Sequence, residues 1–159
     1  MLIHENRACY KGLDVLIINE NLVDLKLNET DKQRIILHLL NLATKEERIK
    51  DREQYLQAVL EREEKSSTSL GYLVAIPHGK SDAVCEPFLV FARCEDAVLW
   101  NDKPVKMVFL IGVPESNADD LHLKILGNIS RHLIDDEYRQ RLLLSENKSE
   151  IIKILNSNI

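Results

Sequence analysis

The sequence predicts an α/β fold, a single layered domain in which a mixed β-sheet is flanked by helices. Three observations predict it. FLVFARC at 88–94 and VKMVFLIGV at 105–113 are continuous apolar runs bounded by turn formers, as buried strands are. Segments near 30–43, 51–64 and 119–134 repeat apolar residues every three or four positions, as amphipathic helices do. These elements alternate along 159 residues with no internal repeat, low-complexity tract or linker, so residues 1–159 are expected to form one domain.

Taken in order, LDVLIINENLVDLKL at 13–27 reads as short extended segments around a polar turn at Asn19–Asn21. Thr30 followed by Gln33 fits a capping box, in which the two side chains satisfy free amides at a helix start. That helix runs to about Leu42 or Ala43, with Ile35, Ile36, Leu39, Leu40 and Ala43 on one stripe and His38 beside it. A second is expected from Asp51 to about Glu64, where Tyr55, Leu56, Val59 and Leu60 share a face. After the polar break KSSTS, LGYLVAIP reads as a buried strand that ends abruptly at Pro77-His78-Gly79, and WNDKP supplies the turn between the two long strands. From Asp119 or Asp120, Leu121, His122, Ile125, Leu126, Ile129 and Leu133 recur with helical period, with acids at the positive end of the helix dipole. DEYRQRLL and NKSEIIKIL read as two shorter helices.

A formal net charge of -5 argues against a nucleic-acid binder. In the most charged stretch, KEERIKDREQYLQAVLEREEK, the two signs are interleaved, which predicts a solvated helix face and not a basic stripe. Cys9, Cys85 and Cys94 match neither zinc-knuckle nor CxxC spacing and read as small packing residues. The first residues lack a basic region followed by an apolar one, and no apolar run approaches a membrane span, so a cytoplasmic location is expected.

The segment AIPHG stands out chemically. Pro77 fixes its own φ, supplies no amide donor and pushes Ile76 into extended geometry, while Gly79 permits a turn that a side chain would obstruct. Together they would hold the His78 imidazole at the rim of a sheet. Histidine attacks phosphorus through a neutral ring nitrogen, and its ordinary pKa of about 6.5 makes that form available near neutral pH, provided an acceptor holds the other nitrogen as N–H. Alone, a PHG tripeptide is more often a turn histidine. His122, on the core-facing stripe beside a helix start, and Arg62, between Glu61 and Glu63, are the groups that would meet phosphoryl oxygens. Taken singly, each has a plainer reading, a core histidine bonded to a carbonyl and a surface arginine in weak ion pairs.

With these residues in view, the chain resembles the fructose and mannitol class of enzyme IIA domains of the phosphoenolpyruvate-dependent sugar phosphotransferase system. The resemblance is carried by LEREEKSSTSLGYLVAIPHGKSDAV, PVKMVFLIGVPE and DLHLKILGNISRHLIDDEYRQRLL, in the family's order and at its approximate spacing. It implies a mannitol-type enzyme IIA fold, with His78 phosphorylated, typically on Nε2, and with Arg62 of the ERE stretch and His122 of the HLK stretch assisting the phosphoryl group. It further implies that the phosphocarrier HPr donates to His78 and that His78 donates to a cysteine of enzyme IIB. The membrane enzyme IIC, where sugar is recognised, would be served only indirectly, and no cofactor or metal is implied. Two positions depart from the family, Ser69 and Leu73, where glycine is frequent, leaving the shape of the loop and the sugar subtype open. None of the cysteines lies in a Gly-rich phosphate cradle, so enzyme IIB is expected on a separate chain. Two rival readings stay beside the transport role. One is a regulatory, nitrogen-type IIA paralogue that controls partners through its phosphorylation state. The other is a metal module built on His78 and His122, which lacks the ligand spacing zinc requires.

Overall fold

The computed structural model describes residues 16–156, with the side chains of 117–122 outside the described residues. In chain order the strands are β1 (Val23–Leu27), β2 (Ser69–Gly71), β3 (Val74–Ala75), β4 (His78–Lys80), β5 (Phe88–Trp100) and β6 (Lys103–Val113). The helices are α1 (Lys32–Lys45), α2 (Arg52–Lys65), α3 (Ala118–Leu133), α4 (Asp136–Leu144) and α5 (Lys148–Asn156). The strands form one mixed sheet in the order β1-β5-β6-β3-β2, with β4 also paired to β6. The predicted α/β class, a mixed sheet flanked by helices, is the one observed.

The two apolar runs form the centre of the sheet. β5 and β6 pair antiparallel, and Phe91 faces Phe109 across the ladder with ring centroids 5.1 Å apart in an edge-on arrangement. Both rings are fully buried, and burying side chains of this size contributes roughly 1.5–3 kcal/mol each. β5 continues past the predicted end at Cys94 to Trp100, because after an irregularity beyond Arg93 its residues alternate, with Val98 and Trp100 buried and Ala97 and Leu99 exposed. The turn shrinks to Asn101-Asp102, with Asn101 at φ 62°, a conformation asparagine tolerates better than most residues.

Several boundaries differ from expectation for identifiable reasons. Residues 13–15 lie outside the described residues; the polar turn is a single 3₁₀ turn, Glu20–Leu22, capped by the Asn19 side chain, which accepts from the Asn21 amide at 2.9 Å. Asp31, not Thr30, caps α1, its carboxylate accepting from the Gln33 amide at 2.9 Å; a charged acceptor at the positive helix end outcompetes a hydroxyl. LGYLVAIP is not one strand but a tight hairpin, since Gly71 pairs with Val74 around Tyr72 and Leu73, at φ 55° and 64°. Positive φ at both central residues is the geometry of a type I′ turn, which favours glycine and asparagine. That is a physical reason for glycine to be frequent where Leu73 stands. Tyr72 is held from outside, with the Arg139 guanidinium 4.3 Å from its ring centroid.

The charged stretch is only partly a solvated face. Arg48 is buried and donates to the carbonyls of Pro87 at 3.0 Å and Leu16 at 2.6 Å, and Glu63 is buried at the end of α2. Of the cysteines, Cys94 is buried and free, whereas Cys85 is disulfide-bonded, which the packing expectation did not foresee. Among the described residues no helix is long and apolar enough to cross a membrane.

Candidate functional site

Pro77 interrupts the strand without ending it. Its carbonyl accepts from the Ile111 amide at 3.1 Å, and pairing to β6 resumes with His78 opposite Ile111 in the register that Ala75 and Val108 began. His78 therefore lies within β4, half-buried. Its Nδ1 is 2.9 Å from the Ile76 carbonyl oxygen. A carbonyl only accepts, so in the neutral ring Nδ1 carries the proton and Nε2 the lone pair. Burial lowers the pKa of His78, and the nearby Arg62 charge acts in the same direction, while the Ile76 bond and Glu63 oppose them. The net direction favours the neutral ring.

Gly79 serves a purpose other than the expected turn. It sits in β4 opposite Gly112, which in turn faces Phe88. A Cβ at 79 would meet Val59 at 3.1 Å and Tyr55 at 3.3 Å, and one at 112 would meet the Phe88 ring at 2.2 Å. Two glycines side by side leave a slot in the sheet that the Phe88 and Tyr55 rings fill, 5.5 Å apart and edge-on. The Tyr55 hydroxyl then donates to the Ile111 carbonyl at 2.9 Å, tying α2 to the strand beside His78.

Arg62 occupies the last turn of α2, where the helix dipole favours a cation. Its Nη1 donates to the carbonyl of the capping residue Ser66 at 2.9 Å. The structure thus brings Arg62 and His78 within electrostatic reach of each other. His122 is the fifth residue of α3, a helix that packs against β6, the partner of β4; its side chain lies outside the described residues.

Sequence reasoning missed Glu63. Its carboxylate accepts from the Thr68 hydroxyl, from Trp100 Nε1 at 3.3 Å and from Lys32 Nζ at 2.9 Å. The available signal was Trp100, whose indole N–H needs an acceptor once buried. Cys94 offers no competing nucleophile, since burial pushes its thiol up to about 11. Among the described residues no group of three or more His, Cys, Asp or Glu side chains could hold a metal ion.

Comparison with known proteins identifies the family. Residues 16–158 match the model of the family described as phosphoenolpyruvate-dependent sugar phosphotransferase system, EIIA 2. The chain is 38% identical over 137 residues to a fructose-specific EIIA component of Haloferax volcanii, covering 84% of this chain and 88% of that protein. Among solved structures it resembles the nitrogen regulatory protein IIA-Ntr of Neisseria meningitidis at 27% identity and a TM-score of 0.80, over 87% of this chain and 96% of the other. The IIA mannitol protein of Escherichia coli, solved in complex with phosphorylated enzyme IIB, shares the fold at 22% identity and a TM-score of 0.74, over 88% and 97%. The family-model match over residues 16–158, with a relative 38% identical over most of both chains, places the chain in the EIIA type 2 family of the sugar phosphotransferase system.

Proposed function

We propose that the chain, with residues 1–159 acting as one cytoplasmic EIIA domain, accepts phosphate from phospho-HPr on His78. It then passes the group to a cysteine of a separate enzyme IIB during sugar uptake. The observation that carries this reading is the Nδ1–H bond to the Ile76 carbonyl, which leaves the lone pair on Nε2. As that lone pair forms a bond to phosphorus, the bond between phosphorus and the donor's histidine nitrogen breaks and its electron pair returns to the donor ring. The His78 ring turns positive in the process, and its hydrogen bond to the Ile76 carbonyl strengthens. Arg62 and His122 are the donors proposed for the phosphoryl oxygens. In the second step the phosphorus–nitrogen bond breaks as a bond to the enzyme IIB sulfur forms. Both steps are displacements between side chains, so positioning and charge stabilisation supply the catalysis. The fructose-specific relative and the mannitol protein's complex with enzyme IIB support the transport reading.

The rival, a regulatory carrier, draws on the likeness to the nitrogen regulatory protein. Incubation with phosphoenolpyruvate, enzyme I, HPr and candidate enzyme IIB proteins separates the two. Label that reaches enzyme IIB and then sugar supports transport, whereas label that stops on this chain supports regulation. In the same assay Arg62→Ala and His122→Ala are each expected to slow acceptance roughly 100- to 1,000-fold, as loss of one oriented donor does. A variant that melts early yet accepts label at the wild-type rate would mark its residue as structural.

The lowered pKa of His78 gives a pH signature. Acceptance is expected to hold as pH falls through about 6.5, the ordinary histidine value, and to decline only below it. Stability has the same sign: between the two pKa values the unfolded chain binds a proton that the folded ring does not, so stability falls as pH drops through that window. A rate profile that is half-maximal at or above about 6.5 would contradict the assignment.

A further inference from the structure

The phosphoryl step described above makes no use of Glu63, yet this buried carboxylate is linked by hydrogen bonds toward the histidine and is the chain neighbour of the arginine. Its donors converge from three parts of the chain: Lys32 at the start of α1, Trp100 at the end of β5, and Thr68 in the loop after α2. Lys32 is itself fixed, donating to Asn101 Oδ1 at 3.0 Å and lying 5.4 Å from the Trp100 ring centroid. Thr68 carries the contact onward. Its carbonyl accepts from the Ile76 amide at 3.0 Å, and the Ile76 carbonyl holds His78 Nδ1 at 2.9 Å. Three consecutive hydrogen bonds therefore connect the Glu63 carboxylate to the imidazole. On the other side, Arg62 is the neighbouring residue and is held by Ser66, in the loop that Thr68 anchors.

We propose that Glu63, held by Lys32, Trp100 and Thr68, is a positioning residue for phosphoryl transfer that fixes the carbonyl setting the His78 tautomer and, through the end of α2, the place of Arg62. This rests on the phosphocarrier reading. Stability alone is a poor account of the cluster, because a buried ion pair can often be replaced by apolar side chains with no loss of stability. Orientation is a better account. A chain of bonds from rigid elements holds an acceptor where a loop carbonyl by itself would wander, and small misplacements of reacting groups are expensive in rate.

The decisive comparison is Thr68→Val against Thr68→Ser. Valine keeps the shape of threonine but removes the hydroxyl, leaving a Glu63 oxygen without that donor; serine keeps the hydroxyl. Three quantities are measured on the full chain: the rate of acceptance from phosphoenolpyruvate, enzyme I and HPr; the ring ¹⁵N shifts of His78, which report its tautomer; and the melting temperature. Thr68→Val is expected to slow acceptance roughly tenfold or more and to move the ¹⁵N shifts toward a mixture of tautomers, and Thr68→Ser to recover most of both. Lys32→Met, at a partly exposed position that retains the apolar stem, is expected to act in the same direction and stands in if Thr68→Val does not fold. Wild-type ¹⁵N shifts and rate in Thr68→Val and Lys32→Met, or equal impairment in the valine and serine variants, would overturn the proposal. If the wild-type chain accepts no phosphoryl group, the carrier reading fails by itself, and the ¹⁵N comparison still decides whether the cluster sets the tautomer.

Discussion

His78→Ala is expected to abolish phosphoryl acceptance while leaving the domain folded. The loss follows from removing the proposed nucleophile: His122 is assigned to the phosphoryl oxygens, and among the described residues Cys94 is buried with its thiol pushed up to about 11. The fold survives because β4 is held by its backbone. The Pro77 carbonyl keeps its bond to the Ile111 amide, and Gly79 and Lys80 keep their register with Gly112 and Val113. The ring itself is only half-buried, so its removal is expected to change stability by about 1 kcal/mol or less. Label from phospho-HPr, mapped as an acid-labile, base-stable adduct, provides the check. An adduct that persists at wild-type level in His78→Ala would refute the assignment, and a collapsed thermal transition would show that the histidine is structural.

The largest effect on stability is expected from Gly112→Ala. A Cβ there would lie 2.2 Å from Cε1 and 2.4 Å from Cζ of Phe88, whereas carbon atoms pack at about 3.5–4.0 Å. The Phe88 ring has little room to yield, since it is fully buried and Tyr55 stands edge-on against it. Overpacking of this kind destabilises by about 1–3 kcal/mol and sometimes more; the upper end is expected here, a fall in melting temperature of roughly 6–12 °C for a domain of this size. Adding Phe88→Leu to Gly112→Ala should recover part of the loss, a non-additivity that a double-mutant cycle reads directly. If Gly112→Ala melts with the wild type, the slot described above is not closed by Phe88.

How far the sequence alone could be read depended on whether a residue's reason for being there was local. The runs at 88–94 and 105–113 declared their strands because a central strand buried on both faces needs nothing but apolar side chains. The stripes of α1 and α2 were legible for a similar reason. The hairpin at Tyr72 and Leu73 was not, because neither residue is a turn former and the positive φ values are supported by distant contacts, including Arg139 over the Tyr72 ring. In the sequence Gly79 reads as a turn residue, but its need is for close approach of α2 and not for a turn. Glu63 was hidden in a stretch whose alternating charges suggest solvent, and only the positions of Trp100 and Lys32 reveal it as buried. His78 and Arg62 were both named from the chain, but their proximity is a property of how α2 crosses β4.

The outermost described strands have a bearing on self-association. β1 has five residues and carries Asp24 and Lys26, and β2 has only three. A long apolar margin would offer a ladder of unsatisfied amides and carbonyls to a second copy of the chain, the usual start of edge-to-edge aggregation. Brevity at both margins, and charge on β1, discourage that pairing. A carrier of the proposed kind, which must release one protein before it meets the next, gains from a sheet that other chains cannot extend.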